Sequence, residues 1–146
     1  MKLPRYEMKS EKSLMVFEFV SEGTKGKISK LIKFSETNVP DVFNLAFGDK
    51  IETTDEIDDF AVSNNGDSEK VLATVVASVI AFTEKHSDCW VYATGSTKAR
   101  TRLYQIGISK YVDEIRKAFE IYCLYNGDWK VFRKGINYES FLVKRK

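Results

Sequence analysis

Apolar and polar positions alternate through most of the first fifty residues. Residues 13–22 carry Leu14, Met15, Val16, Phe17, Phe19 and Val20, an aromatic and β-branched run that predicts a strand. Gly23-Thr24-Lys25-Gly26 predicts a hairpin turn with two permissive glycines. In the next strand Ile28, Ile32 and Phe34 share one face, and Lys27, Ser29 and Lys33 the other. Lys30 interrupts the apolar face, which places that strand at a sheet edge. After Pro40, Phe43, Leu45 and Phe47 alternate with Asn44 and Ala46, predicting a third strand that stops at Gly48-Asp49. Phe60-Ala61-Val62 predicts a short fourth strand.

The period then changes from two to 3.6. Ser63-Asn64-Asn65-Gly66-Asp67-Ser68 is a turn and cap cluster ready to start a helix from about Glu69 to His86. Val71, Leu72, Val75, Val76, Val79, Ile80 and Phe82 cover most of its circumference, so it should be packed on more than one side. His86 falls where an imidazole can meet the last carbonyls. A strand at 89–94 precedes a second helix, from about Thr97 to Lys117. There Tyr104, Ile108, Tyr111 and Ile115 share a face flanked by Gly107 and Val112, with Lys98, Arg102, Asp113 and Arg116 on the opposite, solvent side. Strands at 119–125, 129–133 and 137–144 follow, joined by Asn126-Gly127 and Lys134-Gly135 turns. The order predicts an α+β fold: antiparallel sheet(s) with two principal helices and a C-terminal three-stranded meander. A chain of 146 residues fits a single domain, 1–146, whose core needs neither disulfide nor metal.

The net charge of +2 conceals segments of opposite sign. Residues 36–69 hold 1 Lys or Arg against 10 Asp and Glu, whereas residues 98–146 hold 12 against 5. Such blocks face different partners or neutralise each other in the fold. The acids of residues 49–59 lack the glycine and terminal glutamate of a calcium loop and read as a solvated acidic loop. Cys89 and Cys123 sit in strand-like runs without metal or redox spacing, as buried free thiols of a reducing compartment. No signal-like segment opens the chain and no apolar run could span a bilayer, so the expectation is a cytoplasmic protein with no membrane partner.

The candidate chemistry lies in Thr94-Gly95-Ser96-Thr97-Lys98-Ala99-Arg100-Thr101-Arg102. Helix N-termini favour acidic side chains because their N–H groups are unpaired and carry partial positive charge. Here the first turns hold only cations, an arrangement suited to a bound anion. Gly95, Ser96, Thr97, Lys98, Arg100 and Arg102 are the expected anion-binding residues. Arg100 projects with Tyr104 and Tyr111, so it either meets the ligand or forms an internal salt bridge with Glu18 or an acid of residues 49–59. Tyr122, Trp129 and Tyr138, interleaved with Lys and Arg, are candidates for stacking on bases. The usual catalytic constellations fail. The turn lacks the glycines of a nucleophile elbow or a P-loop, no dinucleotide fingerprint occurs, and His86 is the single histidine. No catalytic residue, metal site or cofactor is expected.

Four stretches carry a resemblance: Asn44-Leu45-Ala46-Phe47-Gly48-Asp49, Ser63-Asn64-Asn65-Gly66-Asp67, Val71-Leu72-Ala73-Thr74-Val75, and Gly95 through Tyr104. The chain resembles, from about residue 15 onward, a family of short uncharacterised bacterial proteins. The last stretch is the most specific. That family brings no established activity, substrate or cofactor, so the resemblance implies no mechanism. At the level of fold the chain is similar to Whirly and Pur single-stranded nucleic-acid-binding domains, which build curved antiparallel sheets, although the helix between the strand at 89–94 and the meander has no counterpart there.

The leading expectation is a binding protein for an anionic, phosphate-bearing ligand, foremost single-stranded nucleic acid. One alternative is a regulatory or protein-interaction module docking a partner, or a second copy in a homo-oligomer, through its acidic loop and basic C-terminus. Another is an enzyme acting on a small phosphorylated substrate. An open basic groove with exposed aromatics favours the first, a flat apolar patch the second, and an enclosed pocket with converging acids the third.

Overall fold

A computed structural model describes residues 4–58, 64–95 and 97–146. These form an α+β arrangement of nine strands and two helices with mostly antiparallel pairing. In chain order the elements are β1 (Lys9–Ser10), β2 (Val16–Gly23), β3 (Gly26–Glu36), β4 (Val42–Lys50), β5 (Ile57–Asp58), α1 (Ser68–Lys85), β6 (Trp90–Ala93), α2 (Lys98–Ala118), β7 (Phe119–Tyr125), β8 (Asp128–Val131) and β9 (Ser140–Arg145). The strand expected at Phe60-Ala61-Val62 lies outside the described residues, and Ile57–Asp58 supplies β5 just before it. The chain divides into two compact units, Met1–Phe34 with Ala46–Phe82, and Ser35–Leu45 with Thr83–Lys146.

In the first unit the strands run β1-β2-β3-β4, with β5 against the end of β4. Lys30 does not mark an edge, because β3 lies between β2 and β4. Its ammonium is neutralised instead by Asp49, 2.5 Å away, in a pair that is nearly buried. Asp49 accordingly belongs to β4 and not to a solvated loop, since burying either charge alone would be far costlier than burying both. The core stacks Phe34 on Phe82 at 4.2 Å, with Phe17 edge-on to Phe34. The turn cluster before α1 does more than begin the helix. Asn65 accepts the Lys25 N–H at 2.6 Å and donates to Ser21 Oγ and the Gly26 carbonyl, which locks the β2–β3 turn. Asp67 accepts from the hydroxyls of Ser21 and Tyr6, the Tyr6 N–H donates to Thr74 Oγ1, and the Tyr6 ring stacks on Phe19, so several contacts fasten the N-terminal segment.

In the second unit the order is β4-β6-β9-β7-β8. β4 and β6 pair in parallel, Val42 opposite Trp90 through Leu45 opposite Ala93, as a connection containing a helix permits. The three C-terminal strands are antiparallel, with β7 between β8 and β9. Asn126 and Gly127 take φ of 49° and 81°, the left-handed pair that closes a two-residue hairpin without splaying its strands. Along α2 the buried positions are Thr101, Tyr104, Gly107, Val112 and Ile115. Tyr111 and Ile108 are only half-buried, and a non-helical residue at Tyr111 (φ −116°, ψ 19°) shifts the phase of the inward face beyond it. Arg116, expected in solvent, is half-buried; it donates to the Phe132 carbonyl and lies over that ring. Both cysteines are buried free thiols.

Candidate anion pocket and aromatic sheet face

The entry to α2 is built from small groups held close together. Thr97 is the N-cap, and its hydroxyl accepts the Arg100 N–H at 3.2 Å. Thr101 Oγ1 accepts the Gly95 N–H at 2.9 Å and donates to the Thr97 carbonyl at 3.2 Å. This threonine thus ties the end of the β6 segment to the first helical turn. Gly95 is required by that closeness. A Cβ there would meet the Thr101 amide nitrogen and lie 2.5 Å from Arg100 Cβ and 2.7 Å from the Arg100 carbonyl carbon. No acidic side chain stands in the first turn.

Beside this turn opens a pocket of about 570 Å³, lined by Gly95, Thr97, Lys98, Ala99, Thr101, Arg102 and Gln105 on one side and by Asn137, Tyr138 and Glu139 on the other. Gln105 fixes the two walls together. Its amide nitrogen donates to the Ile136 carbonyl, and its amide oxygen accepts the Tyr138 N–H at 2.9 Å. Thr94 donates to the Glu139 carbonyl at 3.1 Å. Two cations, Lys98 and Arg102, therefore share the pocket with one carboxylate, Glu139. Four of the six expected anion-binding residues, Gly95, Thr97, Lys98 and Arg102, come together here. Ser96 lies outside the described residues. Arg100 is half-buried and is not among the residues that line the pocket. Lys98 and Arg102, placed on the solvent side of the helix wheel, are the cations that reach it. Gln105, Asn137 and Glu139 were missed. Only Gln105 left a signal, one turn beyond Thr101 on the same side of the helix.

A second feature lies on the outward face of the same unit. Cross-strand register places Tyr92, Leu142, Tyr122 and Val131 in one row across β6, β9, β7 and β8. Trp90 stands opposite Lys144, and Leu124 opposite Trp129. Trp90 packs against Tyr122 at 5.8 Å, Tyr92 against Trp129 at 6.2 Å, and Lys144 Nζ lies 5.3 Å from the Trp90 ring centre. Trp129 is 45% exposed. Of the three expected stacking residues, Tyr122 and Trp129 are on this face. Tyr138 is not available for it: its ring is enclosed by Tyr125, Phe132 and Phe141, and its hydroxyl accepts the Arg133 N–H. Trp90 and Tyr92 were missed as surface residues, although their alternation with Val91 and Ala93 carried the signal.

The Trp129 end of this face lies toward the pocket, because Ser140 pairs with Leu124 and Leu124 with Trp129, while Glu139 directly precedes Ser140 and Gly95 comes two residues after Ala93. Trp90 and Lys144 stand at the opposite end of β6 and β9. Among the described residues no three His, Cys, Asp or Glu side chains are grouped to hold a metal ion, and no helix is long and apolar enough to cross a membrane. No curated protein and no solved structure matches the chain. A family model, described as a family of unknown function (DUF6934), matches residues 2–146. Because that match extends over nearly every residue, the chain belongs to this family of unknown function.

Proposed function

We propose that the protein binds single-stranded nucleic acid across the outward sheet face of its second unit, with a phosphate in the pocket at the start of α2. The observation that carries this reading is the row of half-exposed aromatic rings leading to a pocket with two cations. Bases stack on aromatic faces whatever their sequence, and cations beside the rings engage the backbone. Trp129, Tyr92, Tyr122 and Trp90 offer the stacking surface, while Lys98 and Arg102 hold phosphate and Lys144 steers it. Thr97 and the first-turn N–H groups add neutral donors. The fold-level resemblance to Whirly and Pur domains, read from the order of strands and helices alone, adds only an analogy.

Tryptophan fluorescence titrated with short DNA strands tests the proposal. If Lys98, Arg102 and Lys144 neutralise about three phosphates, affinity should fall roughly 15- to 20-fold between about 50 and 200 mM salt. Arg102→Ala should weaken every sequence about equally, whereas Trp129→Ala should cost about 1–3 kcal/mol of binding with little change in the salt slope. Failure of both single strands and duplexes to bind at low salt would replace this reading with the partner-docking one.

A further inference from the structure

The outer edge of β8 ends the strand order of the second unit, and all four of its residues are exposed. Which backbone groups it offers follows from the hairpin. A two-residue Asn126-Gly127 turn makes Tyr125 and Asp128 a hydrogen-bonded pair, and Cys123 and Lys130 the next. The Leu124 carbonyl accordingly points the other way and accepts the Glu139 N–H at 2.9 Å. By the same alternation, the N–H and C=O groups of Trp129 and Val131 point away from β7. Trp129 and Val131 are also 45% and 62% exposed. An edge with outward backbone groups and exposed apolar side chains is a template for strand pairing.

We propose that a second copy of this chain occupies that edge, β8 against β8 in antiparallel register, with Trp129 opposite Trp129. Charge complementarity selects this register. It sets Asp128 of each copy opposite Lys130 of the other, two favourable cross-strand pairs related by the twofold axis. The two tryptophan backbones exchange both hydrogen bonds at the centre. Shifting by one step, so that Trp129 faces Val131, keeps the backbone bonds but puts Lys130 directly against Lys130, which is unfavourable. An extended peptide from another protein would satisfy the same backbone groups but has no such internal match. In the paired arrangement the outward aromatic rows of the two copies become continuous across the seam. The inference rests on the edge and its charges, independently of nucleic-acid binding.

Sedimentation equilibrium of the full chain over a wide concentration range reads the result. The wild-type chain should dimerise reversibly, because a four-residue seam buries less than the area of a tight interface. Asp128→Lys and Lys130→Asp should each lower the association constant about tenfold or more, since each replaces two attractive pairs with two repulsive ones. The double variant Asp128→Lys/Lys130→Asp should restore it. Trp129→Pro, which removes the central outward N–H and spares the bonds to β7, should weaken the dimer with unchanged far-ultraviolet circular dichroism. A chain that stays monomeric at every concentration overturns the proposal. So does a dimer indifferent to the single charge reversals, or one that the double variant fails to rescue.

Discussion

Gly95→Ala should lower the melting temperature by several degrees and abolish whatever the pocket binds. The added methyl meets backbone, namely the Thr101 amide and the Arg100 carbonyl carbon at 2.7 Å, rather than a side chain that could swing aside. The segment after β6 must then retreat from α2, which breaks the Gly95 N–H to Thr101 hydroxyl bond and with it the register of the helix entry. Forcing a group into such a site costs about 1–3 kcal/mol, and loss of the Gly95–Thr101 hydrogen bond contributes about 1 kcal/mol more. At roughly 3 °C per kcal/mol, thermal unfolding followed by circular dichroism would register the loss readily. Thr97→Ala, which removes only the cap, should lose much less. Equal losses in the two variants would mean that Gly95 is not held by close approach.

Alkaline pH should reveal the buried thiol of Cys123. Burial raises its pKa from 9.0 to about 12, only partly opposed by the Arg116 charge. The folded-state pKa is the higher one, so this contribution is fully present below pH 9 and is lost as pH rises through about 12. In that window the unfolded chain releases its proton and the folded chain does not. A shift of this size corresponds to about 4 kcal/mol between the two limits, a large part of the stability of most domains. Burial also raises Cys89, with the Asp41 and Asp88 charges adding to it, and it raises Tyr6, with the Asp67 hydrogen bond adding to it, so all three groups act in one direction. Denaturant midpoints under reducing conditions should therefore fall steeply above pH 9, and less steeply in Cys123→Ala. Parallel curves for the two proteins would mean that the thiol does not govern the loss.

Elements with a strong local period were legible in the sequence. α1 and β7 run close to the expected bounds because an uninterrupted apolar stripe, or a tight turn chemistry such as Asn126-Gly127, leaves few alternatives. The Thr97 cap obeys the same local rule, as a hydroxyl before a helical stretch competes with little else. Where a residue's role depends on a partner distant in sequence, the expectation failed. Lys30 read as an edge marker because nothing near it in the chain announces Asp49. Arg116 read as solvated because the carbonyl it reaches belongs to Phe132. Arg100, read either as a ligand contact or as one half of an internal salt bridge, is half-buried and stands outside the lining of the pocket, to which Lys98 and Arg102 contribute.

Local physics thus determined the alternation of strands and helices, the chemistry of the turns and the concentration of cations at the start of α2. These depend on backbone preference, side-chain period and charge within a few residues. The sheet order, the parallel placement of β4 beside β6, the joining of residues 136–139 to α2 by Gln105 and the gathering of Trp90, Tyr92, Tyr122 and Trp129 on one face were decided only by the tertiary structure. Each sets groups from separate parts of the chain side by side. Which strand pairs with which depends on the combined burial of faces across the unit, a quantity that no local stretch of sequence contains.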